Sequence, residues 1–235
     1  MSGQPAGPTW QEIWAKRALD KSRSKLAALM AADGLDTGFG SVSEEAWRDF
    51  VRRTAKHLDL KRGESIYEVG CGAGAFLLEL AEAGHRVGGL DLSPALIEFA
   101  REAIPQGSFA CAEAAAIDPR ERWDAVVSCG VFLYFADLDY AGRVLDAMAA
   151  KANRAVAILD IPDRATEQAA LAHRRGTLGA EEYDRRYQSL PHLYYTRSWF
   201  EGALRSRGFS RVEVESQRVS GYANAGFRFN AFAFR

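Results

Sequence analysis

The chain has 235 residues, with 30 Lys and Arg against 31 Asp and Glu, a net charge of -1, and 48% hydrophobic residues. These figures exclude a disordered chain, a collagen-like repeat and a disulfide scaffold, and they suit one compact domain with a full core. The balanced charge gives no reason to expect nucleic acid or an anionic membrane as a partner.

Residues 1–8 carry Gly and Pro and read as a loose tail. The opening MSGQPAGPTW lacks the charged and apolar regions of a signal peptide, and no window approaches the roughly 20 apolar residues of a membrane helix. From Trp10 to about Met30 one helix is expected, with Trp10, Ile13, Trp14 and Ala18 on one face, then Leu26, Leu29 and Met30. Three glycines, Gly34, Gly38 and Gly40, mark a loop with Phe39 near its tip. Ser43 caps a second helix, whose apolar stripe is Trp47, Phe50, Val51, Ala55 and Leu58. Residues 1–58 are therefore expected to form a helical lid or cap, and 59–235 the main domain.

Strands and helices then alternate. Strands are expected at 65–69, 86–90, 108–112, 123–128 and 155–159, and helices at 75–83, 94–103 and 138–152. Short apolar strands separated by helices indicate a parallel sheet covered on both faces. A polar, Arg- and Tyr-rich helical insertion is expected over about 163–196. Ser198 and Glu201 read as the capping box of a helix that stops at Gly208. Alternation at Val212 and Val214, and again over Phe227–Phe234, predicts an antiparallel hairpin around the turn 221–226. The fold class is α/β: a Rossmann-like, seven-stranded, mostly parallel sheet with helices on both faces and a C-terminal antiparallel hairpin.

The three cysteines, Cys71, Cys111 and Cys129, are odd in number and widely spaced. They read as reduced thiols in a cytoplasmic protein. Four scattered histidines show no metal-ligand spacing, so no metal is expected.

The most informative stretch runs from Glu68 to Phe76, EVGCGAGAF, at a strand end that opens a helix. Glycine lets the backbone turn sharply and approach a ligand, while the next helix offers free N–H groups. Asp91 lies at the end of the next strand, where a carboxylate accepts both hydroxyls of a ribose. Strand, turn, helix, strand and terminal acid together argue for a nucleoside ligand rather than a bare tight turn. Gly70 to Ala75 also satisfies the NAD pattern G-x-G-x-x-A, so an NAD-dependent oxidoreductase is the rival reading. Glu68 weighs against it, because an acid there offers nothing to a pyrophosphate and suits a cationic group.

With Gly74, the segment reads E-x-G-x-G-x-G and resembles motif I of the class I S-adenosylmethionine-dependent methyltransferases. The resemblance covers roughly residues 60–160, and the last helix and hairpin in outline. It implies S-adenosylmethionine as cofactor, with S-adenosylhomocysteine as product. It places Glu68, Gly70, Cys71, Gly72 and Gly74 at the methionine end and Asp91 at the ribose. Leu92 is implied against the adenine or ribose. Glu113 and Ala114, after the third strand, are implied at the adenine amino group. Cys129 and Gly130, after the fourth, line the methyl-transfer channel. The chain departs from the family at Lys151-Ala152-Asn153-Arg154, where a Gly-Gly turn is frequent; this alters a loop and no binding residue.

Acceptor-site candidates lie outside that core. His192, in the covering segment with Tyr183, Tyr187, Tyr194 and Tyr195, is the candidate base, since histidine titrates near neutral pH. Its other reading is a packing histidine. Asp160, at the end of the fifth strand, either orients the acceptor or caps a turn. Tyr134 either bonds substrate or packs in the wall. Arg174, Arg175, Arg185 and Arg186 either clamp an acidic substrate or form a solvated helix face. The expected activity is methyl transfer to a small molecule, most readily at oxygen; a non-catalytic cofactor-binding protein is the other alternative. DNA and RNA are disfavoured because no N/D-P-P-Y/F tetrad follows the fourth strand. The oligomeric state is not legible.

Overall fold

The computed structural model describes residues 9–35, 42–187 and 190–235. In chain order its helices are α1 (Trp10–Ala15), α2 (Lys25–Ala32), α3 (Glu44–His57), α4 (Ala75–Glu82), α5 (Pro94–Ala103), α6 (Leu138–Lys151), α7 (Glu167–Leu178), α8 (Ala180–Tyr187) and α9 (Arg197–Arg205). The strands are β1 (Ser65–Val69), β2 (Arg86–Asp91), β3 (Ser108–Cys111), β4 (Trp123–Cys129), β5 (Ala152–Pro162), β6 (Arg211–Ser216) and β7 (Arg228–Phe234). They form one seven-stranded sheet in the order β3-β2-β1-β4-β5-β7-β6. The first five pair in parallel, and β7 runs antiparallel to both β5 and β6.

Side chains alternate across the sheet with the period of two that a strand imposes. Ile66, Ala125, Val127, Ala157 and Phe232 face one core, shared with Leu29 of α2, Trp47 and Phe50 of α3, and Phe76 of α4. Tyr67, Val126, Val156, Ile158 and Ala231 face the other, filled by Val144 and Leu145 of α6 and Phe200 of α9. Both faces are covered, which is why these strands read as continuous apolar runs rather than alternating ones.

The strand order reverses direction between β1 and β4, where chain connections leave to opposite sides and open a crevice at the carboxyl ends of the strands. The turns that rim it are held locally. Gly70 N–H and Cys71 N–H both donate to the Leu90 carbonyl, at 2.8 and 2.9 Å. Ser93 caps α5, with Pro94 at its first position.

Four sequence expectations change. The single helix over 10–30 is two helices: a capping box between Thr9 and Glu12 starts α1, and Ser24 starts α2 by accepting from Ala27 N–H. Between them Asp20 accepts from Ser22 N–H at 3.0 Å, a local side-chain turn that competes with helix. The capping residue of α9 is Thr196, accepting from Trp199 N–H at 3.2 Å, and not Ser198 with Glu201. Among the described residues of 163–195 the α-helical part is α7 and α8, preceded by a 3-10 turn at Arg164–Thr166. Tyr195 then bridges to Asp163 beside β5. Finally, Asp160 does not end the fifth strand. The strand continues to Pro162, and the β5–β7 register shifts between Ile158 and Ile161. Opposite them, Ala231 and Phe229 are two apart where these are three, so one extra residue bulges out. The Gly38-Phe39-Gly40 loop lies outside the described residues.

Candidate active site

A cavity of about 960 Å³ lies over the crevice. That is the upper end of the ~300–1,000 Å³ of small-molecule sites, enough for two ligands side by side. Every proposed site residue except Gly74 lines it. Gly74 instead caps α4 at φ +90° and faces Ala100 and Ile104, so it shapes the turn from behind.

The glycine turn needs its glycines. Gly70 adopts φ +75°, and a Cβ there would lie 2.3 Å from Val131 Cγ2. Gly72 adopts φ +52°, and its Cβ would lie 2.2 Å from Asp33 Oδ1. Both lie in the left-handed region, where a side chain is strained even with space available.

Three carboxylates surround this turn. Glu68, on β1, is only 2% exposed, and its Oε2 has no hydrogen-bond partner. Burial holds its pKa well above the usual carboxyl range, with the charges of Asp33 and Asp91 adding to the effect. Asp91 Oδ2 accepts from Gly72 N–H at 2.9 Å and Oδ1 from Ser93 N–H at 2.8 Å. Burial raises its pKa against those two bonds. Asp33, just past α2, accepts from Ala73 N–H at 2.6 Å and Ala75 N–H at 3.2 Å, over the N-terminus of α4. Burial pushes its pKa up to about 7. Asp33 was not singled out from the sequence, because only the path from α2 across the turn brings it there. Arg17 also lines the cavity, its guanidinium 5.1 Å from the Trp14 ring, and its charge acts on Asp33.

Further round the rim, Leu92 is exposed and Glu113 accepts from the Tyr140 hydroxyl at 3.3 Å. Ala114 opens a short 3-10 turn beside Glu113. Cys129 ends β4 and Gly130 follows it at φ +66°. Cys71 and Cys129 both hold their protons, since burial raises their pKa well above the usual thiol value.

The opposite end of the cavity has the reverse character. Asp160 sits in the β5 bulge at φ +59°, a backbone state that costs a non-glycine residue about 1–3 kcal/mol. Its Oδ2 accepts from the Tyr222 hydroxyl at 3.0 Å, and its N–H donates to Asn230 Oδ1 at 3.0 Å. The bulge thus turns the carboxylate toward Gly130 and the cavity. Tyr134 is packed among Trp10 (4.6 Å between ring centres), Trp14 (5.5 Å) and His192 (5.8 Å). Burial keeps its hydroxyl protonated.

His192 stacks on Trp10 at 5.2 Å, and Arg174 donates to its Nδ1. Burial, and then the charges of Arg174 and Arg228, hold its pKa well below the usual histidine value. The ring is therefore neutral at pH 7. With Nδ1 accepting, its one proton sits on Nε2. Such a ring donates from Nε2 and has no free lone pair for a substrate proton, so its arrangement does not suit the base role expected from sequence. Of the four arginines, Arg175 pairs with Asp184, and Arg185 and Arg186 with Glu182, on exposed positions. Arg174 departs from them: it is 5% exposed and bonds Tyr194 and His192 inside the cavity wall. Arg228, missed from sequence, is also buried on the cavity wall. Its place in an alternating Phe strand gave no sign of that, because both faces of β7 are covered.

Residues 66–149 match a family described as "Methyltransferase domain". A ubiquinone biosynthesis O-methyltransferase of Bradyrhizobium diazoefficiens is 30% identical over 120 residues, 49% of this chain. The chain spans about half the length of the curated relatives it matches, 46% in that case. The magnesium protoporphyrin IX methyltransferase of Synechocystis PCC 6803, crystallised with bound SAH, has 18% identity and a TM-score of 0.59, covering 96% of this chain and 92% of that one. The plantazolicin methyltransferase BpumL in complex with SAH has 17% identity and a TM-score of 0.62, covering 96% and 93%. The two structural likenesses concern the fold.

Proposed function

We propose that the chain, whose residues 66–149 match a methyltransferase domain, is an S-adenosylmethionine-dependent methyltransferase, and that its cavity binds S-adenosylmethionine and a small-molecule acceptor and transfers the methyl group, most readily to oxygen. The observation that carries the reading is the buried Glu68 Oε2, an acceptor without a donor at the floor of the cavity. A cationic ammonium supplies what that oxygen lacks; a dinucleotide pyrophosphate does not. Asp91 retains lone pairs for two ribose hydroxyls beyond its two backbone bonds. Arg17 is placed to hold the carboxylate of the same amino-acid tail. Glu113, Ala114 and Leu92 border the base, and Cys129 and Gly130 the approach to the acceptor.

The bound sulfonium supplies an electrophilic methyl group. The protein's own work is to align the acceptor and exclude water, and orientation of this kind is worth on the order of 7–11 kcal/mol. Asp160 is the group best placed to take a proton from an acceptor hydroxyl, with Tyr222 fixing its orientation. His192 is assigned as a hydrogen-bond donor to the acceptor, and Tyr134 as part of its wall. The helix α1, with Trp10 and Trp14 over the cavity, acts as a lid for the domain at 59–235. A small organic acceptor, rather than nucleic acid, is the matching partner, since the net charge is -1. The described residues contain no helix long and apolar enough to cross a membrane.

The test is transfer of label from methyl-labelled S-adenosylmethionine to a panel of phenols, hydroxy acids and amines. Label in a phenol or hydroxy acid supports the reading. Label only in amines moves the target to nitrogen, and no label with any acceptor leaves a cofactor-binding protein.

A further inference from the structure

The acceptor end of the cavity has donors in excess. Arg228 is 7% exposed and lines the cavity, yet its Nη1 has no hydrogen-bond partner. The Trp10 indole N–H, on the same cavity, is buried without a partner as well. The His192 ring adds a third N–H, because Arg174 occupies its other nitrogen. The acceptors nearby are already engaged: Asp160 takes the Tyr222 hydroxyl, and Tyr194 takes Arg174. Asp160 acts on Arg228 by charge, but the two form no ion pair among the described residues. A buried guanidinium with an idle N–H is expensive unless a ligand completes it. Its planar fork fits a planar carboxylate. The rings of Trp10, Tyr134 and Tyr187 line the same end, a surface for a flat apolar body.

We infer that the methyl acceptor is an aromatic carboxylic acid, its carboxylate held by Arg228 with the Trp10 and His192 N–H groups and its ring against Trp10 and Tyr134. The inference rests on the acceptor site proposed above and narrows its substrate class. Arg174 is a positioning residue: it fixes the His192 tautomer and does not itself reach the acid.

The experiment is calorimetric titration of the full chain, saturated with S-adenosylhomocysteine, with hydroxybenzoates and hydroxycinnamates, their primary amides, and aryl phosphates. The expected result is that acids bind roughly 30-fold or more tightly than amides. R228Q removes that preference, R228K keeps part of it, and both bind S-adenosylhomocysteine as the parent does. Should R228Q fail to fold, W10F serves instead: it keeps the ring, loses the N–H, and weakens the acids severalfold with the amides unchanged. Equal binding of acids and amides, no binding by the panel, or a preference that survives R228Q overturns the inference. Tighter binding of aryl phosphates overturns the carboxylate assignment. If the parent chain selects acids but ignores S-adenosylhomocysteine, the subsite stands and the methyl-transfer reading falls.

Discussion

The two ends of one cavity carry opposite deficits. At the glycine turn three carboxylates crowd together, and the unsatisfied atom is an acceptor, Glu68 Oε2. At the β5 bulge two buried arginines converge, and the unsatisfied atoms are donors, on Arg228 and Trp10. Buried polar groups without partners are rare in folded proteins, and two such clusters with opposite needs on one cavity suit the two ligand groups of opposite charge proposed above. The fold alone does not separate these ends. The side chains that close them do.

The largest effect that sharpens this contrast is Asp160→Asn. Turnover should fall about a hundredfold or more while cofactor affinity stays the same, since a general base contributes ~10²–10⁴. Unchanged turnover would remove Asp160 from the chemistry. Next, Asp91→Ala should weaken S-adenosylhomocysteine binding on the order of a hundredfold, because two hydrogen bonds to an ionised group are lost. It should also lower the melting temperature of the ligand-free chain, as Gly72 N–H and Ser93 N–H lose their acceptor. Calorimetry and thermal denaturation read the two effects separately.

A smaller effect follows from Asp33. Its folded pKa of about 7 lies above its unfolded value, so the native state holds this proton more tightly. The stability it contributes is present at low pH and is lost as pH rises through about 7. A cationic tail favours the ionised form, so S-adenosylmethionine affinity should rise with pH across that window, with protons released. Titrations in two buffers of different ionisation enthalpy detect the release; a flat affinity from pH 6 to 8 would contradict it. The smallest expected effect belongs to His192. Because it is neutral and already protonated on Nε2, the pH–rate profile should lack a limb near the ordinary histidine value, and His192→Gln, which keeps a donor, should retain most turnover. A limb at that position lost in His192→Gln would restore the base role.

The sequence disclosed the scaffold well because its signals are local. Strand lengths, the glycine turn, Ser43 and Ser93 as caps, and the closing alternation all depend on neighbours within a few residues. The cavity rim at the glycine turn was legible for the same reason: Glu68, Gly70 and Gly72 sit on one strand and turn, and Asp91 ends the adjacent strand. The opposite end of the cavity was legible only in part. Asp160 was visible as an acid near a strand end, but the bulge that aims it depends on pairing with β7, about 70 residues away. His192 was visible as a titratable ring, but its tautomer depends on Arg174, on α7 and 18 residues earlier. Asp33 and Arg228 reach the cavity by tertiary paths that no spacing rule encodes.

Glu68 and Asp91 are proposed to grip an adenosyl amino acid. Calorimetric titration of the purified chain with S-adenosylmethionine, S-adenosylhomocysteine and NADH tests it most directly, with Glu68→Gln alongside. One saturable site for both adenosyl compounds is expected, weakened in Glu68→Gln, with no heat from NADH. Saturable NADH binding with silence from both adenosyl compounds would contradict it.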